Sequence, residues 1–285
     1  MPRLKLIVEY DGTAFHGWQA QADLRTVQGE IRRCLRELTG SEADPQGASR
    51  TDRGVHALGQ TVGVDVESRI PIEHFREALN ARLPADVRVR AVEEVDVSFD
   101  PRRSAHGKHY RYAVAEGVEP GVFMTRFLES VPAAVSLESI REAIRHLEGE
   151  HDFASFRASG SGSDASTVRT LDAVTARRDG RIVLLDFWGR SFLYKMVRGL
   201  AGTLLEVGRG RWSPVEVEAI LGARDRSRAG PTAPARGLCL VKIFYDEEEY
   251  SRDLRRAPGF LEFLASSLEH AADERRAPLR ARSSD

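Results

Sequence analysis

The spacing of apolar residues in the first half of the chain predicts strands and helices in alternation. Apolar residues at every second position predict four strands, at residues 4–10, 61–66, 87–95 and 109–115. Helical spacing predicts one helix that begins after Thr26 and ends at Gly40. A second helix begins at Pro71, with Phe75 and Leu79 on its apolar face. The first half is therefore expected to mix both kinds of element.

The second half of the chain shows the same two periods. Ser136 is a good N-cap for a helix that carries Ile140, Ile144 and Leu147 on its inner face. Two further strands are predicted at residues 169–176 and 181–187, and a Gly/Ser run at residues 159–163 is predicted to be a loop. Residues 260–268 are predicted to form a helix, and residues 273–285 a frayed tail.

Two ten-residue segments, residues 6–15 and 183–192, share one order of residue types: apolar, acidic, aromatic, Gly, small, Phe. Each leads into an apolar helical pattern, at residues 27–38 and 192–205. This repeat predicts an α+β fold of two related lobes, each with a mostly antiparallel sheet and helices, around a central active-site cleft. We place the lobes at residues 1–116 and 117–250, with a partly helical extension at residues 251–285.

The composition is that of a folded, soluble enzyme, with 41% hydrophobic and 30% charged residues. The apolar runs are far shorter than a membrane span, and the first residues lack a signal-peptide pattern, so no membrane partner is expected. Cys34 and Cys239 are the two cysteines of the chain. Two cysteines cannot build a disulfide framework, and we expect both to be core residues in a reducing cytoplasm.

Positive charge is concentrated locally. The formal net charge of -1 argues against a protein that coats nucleic acid over its whole surface. Basic residues nevertheless cluster in three places, which are Arg102, Arg103, Lys108, His109 and Arg111, then Arg177, Arg178 and Arg181, then Arg190, Lys195 and Arg198. Solvated surfaces or a basic groove would each account for these clusters.

The densest polar segment, residues 49–57, lies between a predicted helix and a predicted strand. It presents one carboxylate, Asp52, between Arg50 and Arg53. Nearby positive charge keeps an aspartate ionised and available as a nucleophile or a base. The same arrangement would also suit a structural ion pair, so these residues alone leave both roles open.

The segment from Arg50 to Ala57, Arg-Thr-Asp-Arg-Gly-Val-His-Ala, strongly resembles the signature of the tRNA pseudouridine synthase A family. Other segments resemble blocks of that family in the family's order, at residues 10–19, 108–112, 151–156, 192–198 and 233–240. Ser49 and Arg190 stand where the family pattern has Gly and Asn. An ordered set of blocks from about residue 4 to residue 245 is far more specific than one motif.

The resemblance implies a two-lobed α+β enzyme, usually a homodimer, that converts uridine to pseudouridine in the anticodon stem and loop of tRNA. Asp52 falls on the family's catalytic carboxylate, which would attack C1′ of the sugar or remove a C2′ proton. The uracil would then leave through N1, rotate and rejoin through C5. This chemistry involves no redox step and no external group, so the resemblance implies no cofactor.

The resemblance also assigns roles to other residues. Tyr110 falls on the active-site tyrosine that would stack on the flipped uracil near its C5 proton. Arg198 falls on the basic residue that pairs with the catalytic aspartate. Further substrate-binding and groove-lining residues are Arg50, Lys108, His109, Arg111, Arg190, Lys195 and Leu240.

Three other interpretations compete with this one. A protein that binds RNA without modifying it would keep the fold and lose the chemistry, and intact Asp52, Tyr110 and Arg198 argue against it. A hydrolase acting on a glycosidic bond would normally need a second carboxylate, and none accompanies Asp52 in its motif. A metal site at His106 and His109 would lack a third ligand, so no metal is expected.

Overall fold

The computed structural model describes residues 1–158, 166–256 and Gly259. The predicted loop at residues 159–163, the predicted helix at 260–268 and the predicted tail at 273–285 lie outside the described residues. The strands are β1 Arg3–Tyr10, β2 Gln46–Gly47, β3 His56–Asp65, β4 Val87–Val95, β5 Gly107–Glu116, β6 Glu129–Val131, β7 Gly149–Asp152, β8 Val168–Leu171, β9 Ala173–Asp179, β10 Ile182–Gly189 and β11 Leu238–Phe244. The helices are α1 Val27–Thr39, α2 Ile72–Asn80, α3 Leu137–Ile144, α4 Met196–Gly208, α5 Glu216–Ala223 and α6 Glu247–Asp253.

Nine strands of the described chain form one sheet. Its order is β4-β1-β3-β11-β5-β10-β9, with β2 paired to β3 and β6 paired to β5. Pairing is antiparallel except between β11 and β3 and between β5 and β6. β7 and β8 form a separate antiparallel pair. The predicted α+β class is confirmed, and its sheet is mostly antiparallel.

The two segments that share a residue pattern occupy equivalent strands. β1 lies between β3 and β4 and is antiparallel to both, and β10 lies between β5 and β9 in the same way. β11 is inserted between β3 and β5 and joins the two three-stranded groups into one continuous sheet. The strands of both halves therefore share a sheet, and the division of the chain into lobes at residue 116 stays a prediction.

Local signals set the limits of α1 as predicted. Thr26 Oγ1 accepts a hydrogen bond from the Gly29 amide at 3.2 Å, and Gly40 ends the helix with φ +72°. The predicted strand at residues 61–66 is longer than expected, because β3 begins at His56. Cys34 and Cys239 are both buried, as predicted.

Three predicted elements differ from the structure. The helix that begins after Ser136 ends at Ile144, so Leu147, which was expected on its inner face, lies beyond the helix. The strand predicted at residues 169–176 is divided at Asp172 into β8 and β9, because β8 pairs with β7 whereas β9 pairs with β10. The helix predicted from residue 192 begins at Met196 instead, since Lys195 has the left-handed φ of +57° that a helix cannot contain. The apolar spacing did not predict β2, β6, β7, β11, α5 or α6.

The helices of the described chain are short. The longest, α1 and α4, have 13 residues each. Among the described residues, none of the helices combines the length and the apolar character that crossing a membrane requires.

Candidate active site

The loop that carries Asp52 joins β2 to β3 and is fixed through the residue before it. The Trp18 amide donates a hydrogen bond to the Thr51 carbonyl oxygen at 3.1 Å, and the Tyr10 hydroxyl and Thr51 Oγ1 are 2.8 Å apart. Gly17 has φ +93°, and a Cβ there would lie 2.6 Å from the Thr51 carbonyl oxygen. Only glycine allows the two backbones to approach so closely. These contacts hold the Asp52 loop in place.

Asp52 pairs with an arginine that lies 146 residues later in the chain. Arg198 Nη1 is 2.8 Å from Asp52 Oδ2, and the two side chains are only 14% and 15% exposed. Arg198 Nε donates to the Ala233 carbonyl oxygen at 2.7 Å, which fixes the plane of the guanidinium group. Asp52 Oδ1 has no hydrogen-bond donor among the described residues. The carboxylate is thus held by one oxygen, and the other is available for chemistry.

Tyr110 lies on β5, on the same sheet face as the Asp52 loop. Its hydroxyl is 2.7 Å from Ser49 Oγ, and its ring meets the Phe192 ring edge-on at 5.1 Å. Leu240 on β11 is its fully buried neighbour across the sheet. Burial holds the pKa of the Tyr110 hydroxyl well above its usual range, and the hydrogen bond between this hydroxyl and Ser49 opposes the shift. The phenol is therefore protonated at neutral pH.

Lys108 lies two residues before Tyr110 and points to the same face of the sheet. Its Nζ donates to the Ala48 carbonyl oxygen at 2.9 Å, and the side chain is buried. Burial lowers the pKa of the Lys108 ammonium group to about 8. Lys108 therefore anchors the Asp52 loop through Ala48. Its side chain is buried and does not line an exposed RNA groove as expected.

Arg111 and His109 point to the other face of the sheet. Arg111 is 1% exposed, and its Nε and Nη2 donate to the two oxygens of Asp186 at 2.7 and 3.2 Å. His109 Nε2 donates to Asp186 Oδ1 at 2.7 Å. The fully buried Asp186 carboxylate has its pKa lowered, because His109 and Arg111 outweigh the effect of its burial. This placement contradicts the expectation that Arg111 and His109 line an RNA groove.

The remaining predicted cations are accessible. Arg50 and Arg190 are exposed, and Lys195 is half-buried at the start of α4. Lys195 Nζ lies 4.9 Å from the centre of the Tyr194 ring, and that ring is itself exposed. These side chains can reach phosphate groups without breaking an ion pair with a carboxylate in the described chain.

Several residues that support the site had no predicted role. The Ser49 amide donates to Gln60 Oε1 at 3.1 Å, and Gln60 Nε2 donates to the Ser49 carbonyl oxygen at 2.5 Å. His56, within the recognised motif, accepts from the Gly12 amide at 3.0 Å through Nδ1. Gln60 directly precedes the predicted strand at residues 61–66, and nothing in the sequence pattern pointed to its role.

The two histidines considered as metal ligands serve other purposes. His109 Nδ1 also lies 3.4 Å from Asp253 Oδ2, and the His106 ring meets the Tyr250 ring edge-on at 5.7 Å. In the part of the chain that the structure describes, no group of three or more His, Cys, Asp or Glu side chains is arranged to hold a metal ion.

Comparison with known proteins gives the family of the chain. The family model described as tRNA pseudouridine synthase matches residues 6–102 and 143–246. tRNA pseudouridine synthase A of Acetivibrio thermocellus is 44% identical over 245 residues, which are 86% of this chain and all of that protein. The Geobacillus kaustophilus protein of the same name is 42% identical over 247 residues, 86% of this chain and 95% of that protein.

The relatives place the chain in the class of RNA-modifying isomerases. The chain belongs to the tRNA pseudouridine synthase family, and the resemblance first seen in the sequence motifs is confirmed. Asp52 and Arg198 fall inside the matched segments, whereas Tyr110 falls between them.

Proposed function

We propose that this protein converts uridine to pseudouridine in the anticodon arm of tRNA, in the cytoplasm, with Asp52 as the catalytic carboxylate. The observation that carries the proposal is the contact of 2.8 Å between Asp52 Oδ2 and Arg198 Nη1. This contact places a guanidinium group beside the carboxylate and points the carboxylate in one direction. The flipped uridine lies against it after leaving the base stack.

The reaction conserves atoms without a cofactor. Asp52 attacks C1′ or removes a proton from C2′, and the bond from C1′ to N1 of the uracil breaks. The uracil rotates and C5 bonds to C1′, which breaks the bond from Asp52 to C1′ in the first route or returns the proton to C2′ in the second. C5 then loses its proton. N1 gains a proton in exchange. Tyr110 is proposed to contact the rotating base, because its hydroxyl and ring are held beside the Asp52 loop.

The substrate contacts follow from the exposure of the basic residues. Arg50 is exposed two residues before Asp52, and Lys195 stands three residues before Arg198. We propose that both bind phosphates next to the flipped nucleotide. Leu240 is fully buried beside Tyr110 on the neighbouring strand, where it supports the tyrosine.

A second copy of the chain is the other proposed partner. Val122 and Phe123 are neighbouring apolar side chains with 79% and 88% exposure. Exposed apolar neighbours of this kind mark protein contacts, so we propose that this turn contributes to a homodimer interface.

Incubation with an unmodified tRNA transcript tests the proposed function. Pseudouridine is mapped by a chemical adduct that stops reverse transcription, and stops within the anticodon arm are expected. Release of free uracil would instead indicate a glycosidic-bond hydrolase. Binding without any modification would indicate an RNA-binding protein that lacks the chemistry.

A further inference from the structure

The hydroxyl of Tyr110 has one side-chain partner on the loop of the catalytic aspartate. Ser49 Oγ lies 2.7 Å from it, a normal distance between two hydroxyl groups. Ser49 is itself half-exposed, whereas Tyr110 is buried. Ser49 thus stands between the tyrosine hydroxyl and the solvent.

The backbone of Ser49 is held by Gln60, whose side chain is fully buried. Gln60 bonds both backbone groups of Ser49, accepting from its amide at 3.1 Å and donating to its carbonyl oxygen at 2.5 Å. The carbonyl oxygen of Ala48, the residue before Ser49, accepts a hydrogen bond from Lys108 Nζ at 2.9 Å. The buried side chains of Gln60 and Lys108 therefore hold Ser49 and the residue before it in place.

The chemistry of the last step explains why such an arrangement is useful. A protonated phenol can accept the proton from C5 only if it passes its own proton to another atom. Ser49 Oγ is within hydrogen-bond distance for that transfer, and its exposure lets it pass a proton to water.

We propose that Ser49 is the positioning residue for the Tyr110 hydroxyl and carries onward the proton that leaves uracil C5. The C5–H bond breaks, and its electron pair returns to the uracil ring. The C5 proton binds to the Tyr110 oxygen, the Tyr110 proton passes to Ser49 Oγ, and the Ser49 proton passes to water. The hydroxyl groups of Tyr110 and Ser49 each end with one proton, as they began. This inference rests on the proposed function and specifies how its final step is completed.

A double-mutant cycle tests the inference. Single-turnover pseudouridine formation is measured for the wild type, Ser49→Ala, Tyr110→Phe and the double variant, with Ser41→Ala at an exposed position as the matched control. Ser49→Ala should slow the reaction about tenfold relative to the wild type, as expected when one link in a proton transfer is removed. The same change should have no further effect in the Tyr110→Phe background, and Ser49→Thr should restore most of the lost rate.

Substrate labelled with deuterium at C5 gives a second measurement. The rate ratio between unlabelled and labelled tRNA should be higher for Ser49→Ala than for the wild type, because C5 proton loss has become slower. A loss that is equal in both tyrosine backgrounds, or a rate unchanged in Ser49→Ala, would overturn the inference. Turnover by the wild type in the same assay would still support the proposed function, so the two failures are distinguishable.

Discussion

At the scale of single residues, the central feature is the pairing of Asp52 with Arg198. The arginine is held by the Ala233 carbonyl oxygen at 2.7 Å before any substrate arrives. Its geometry is therefore built into the fold and does not need to be created by RNA binding. A lysine could supply the charge at this position but could not bond Asp52 and Ala233 with the same fixed fork.

Replacing Arg198 should separate charge from geometry. Arg198→Ala should cost more activity than Arg198→Lys, because lysine keeps a positive charge beside Asp52 whereas alanine removes it. Single-turnover rates for the wild type and the two variants measure this order. Equal rates in the two variants would contradict a role for the charge at this position.

Lys108 gives the site a pH-dependent contribution to stability. Its pKa of about 8 in the folded chain lies below the usual lysine value, so burial of the ammonium group costs stability below pH 8. As pH rises above 8, the folded state loses this proton first, and the cost diminishes. The stability of the wild type relative to Lys108→Met should therefore rise by about 2 kcal/mol between pH 7.5 and 9.5. Urea unfolding at several pH values measures this difference, and a constant difference would contradict it.

At the scale of elements, α4 brings Arg198 into place by packing closely on a loop. A Cβ at Gly202 would lie 1.8 Å from the Pro231 carbonyl oxygen, so only glycine fits there. This contact holds the segment that ends in Ala233, the residue whose carbonyl oxygen binds Arg198. Close helix-to-loop packing therefore positions the pair of Asp52 and Arg198.

Gly202→Ala tests this connection, with Gly222→Ala as its matched control. Gly222 lies in α5, and a methyl group added there would meet no neighbouring atom within 4 Å. Gly202→Ala should cost about 3 kcal/mol of stability through overpacking and should lower activity as well. Gly222→Ala should be neutral or stabilise by up to about 1 kcal/mol. Urea unfolding and single-turnover rates check this, and equal behaviour of the two variants would be inconsistent with it.

The sequence predicts elements well where the signals are local. The Thr26 cap and Gly40 define α1, and the alternation over residues 87–95 defines β4. The break at Asp172 has no local signal, because it depends on bonds to distant residues. The Asp172 amide donates to Trp188, and its carboxylate accepts from Tyr250 at 2.6 Å. Only the assembled fold shows these partners.

The residues of the candidate site likewise divide into those with a local signal in the sequence and those without one. Strand periodicity alone separates Lys108 and Tyr110 from His109 and Arg111, so the placement of Arg111 on the opposite face could have been expected from the sequence. The bonds of Ser49 to Gln60 and Tyr110 could not, because the sequence carries no mark of which polar side chains meet.

At the scale of the whole molecule, β11 unites the sheet and brings the site together. It comes from near the end of the described chain and separates β3, which follows the Asp52 loop, from β5, which carries Tyr110. Arg198 reaches the same place from α4. The site therefore needs both halves of the chain, and neither half is expected to be active alone.

The proposed dimer contact predicts a change in assembly. Phe123→Ser should weaken self-association by about tenfold or more, because a buried aromatic anchor would be lost. Val97→Ser is the control, since Val97 is also an exposed apolar residue, in the turn that follows β4. Light scattering over a concentration series gives the result. Unchanged association in Phe123→Ser would exclude this surface, and a monomeric wild type would exclude the dimer.

Asp52→Asn tests the central claim most directly. The amide keeps the shape of the carboxylate but removes the charge that the reaction needs, whereas tRNA binding depends on many phosphate contacts. Pseudouridine formation under single-turnover conditions should be abolished, and the affinity for unmodified tRNA should stay within a few-fold of the wild type. Substantial pseudouridine formation by Asp52→Asn would contradict the account.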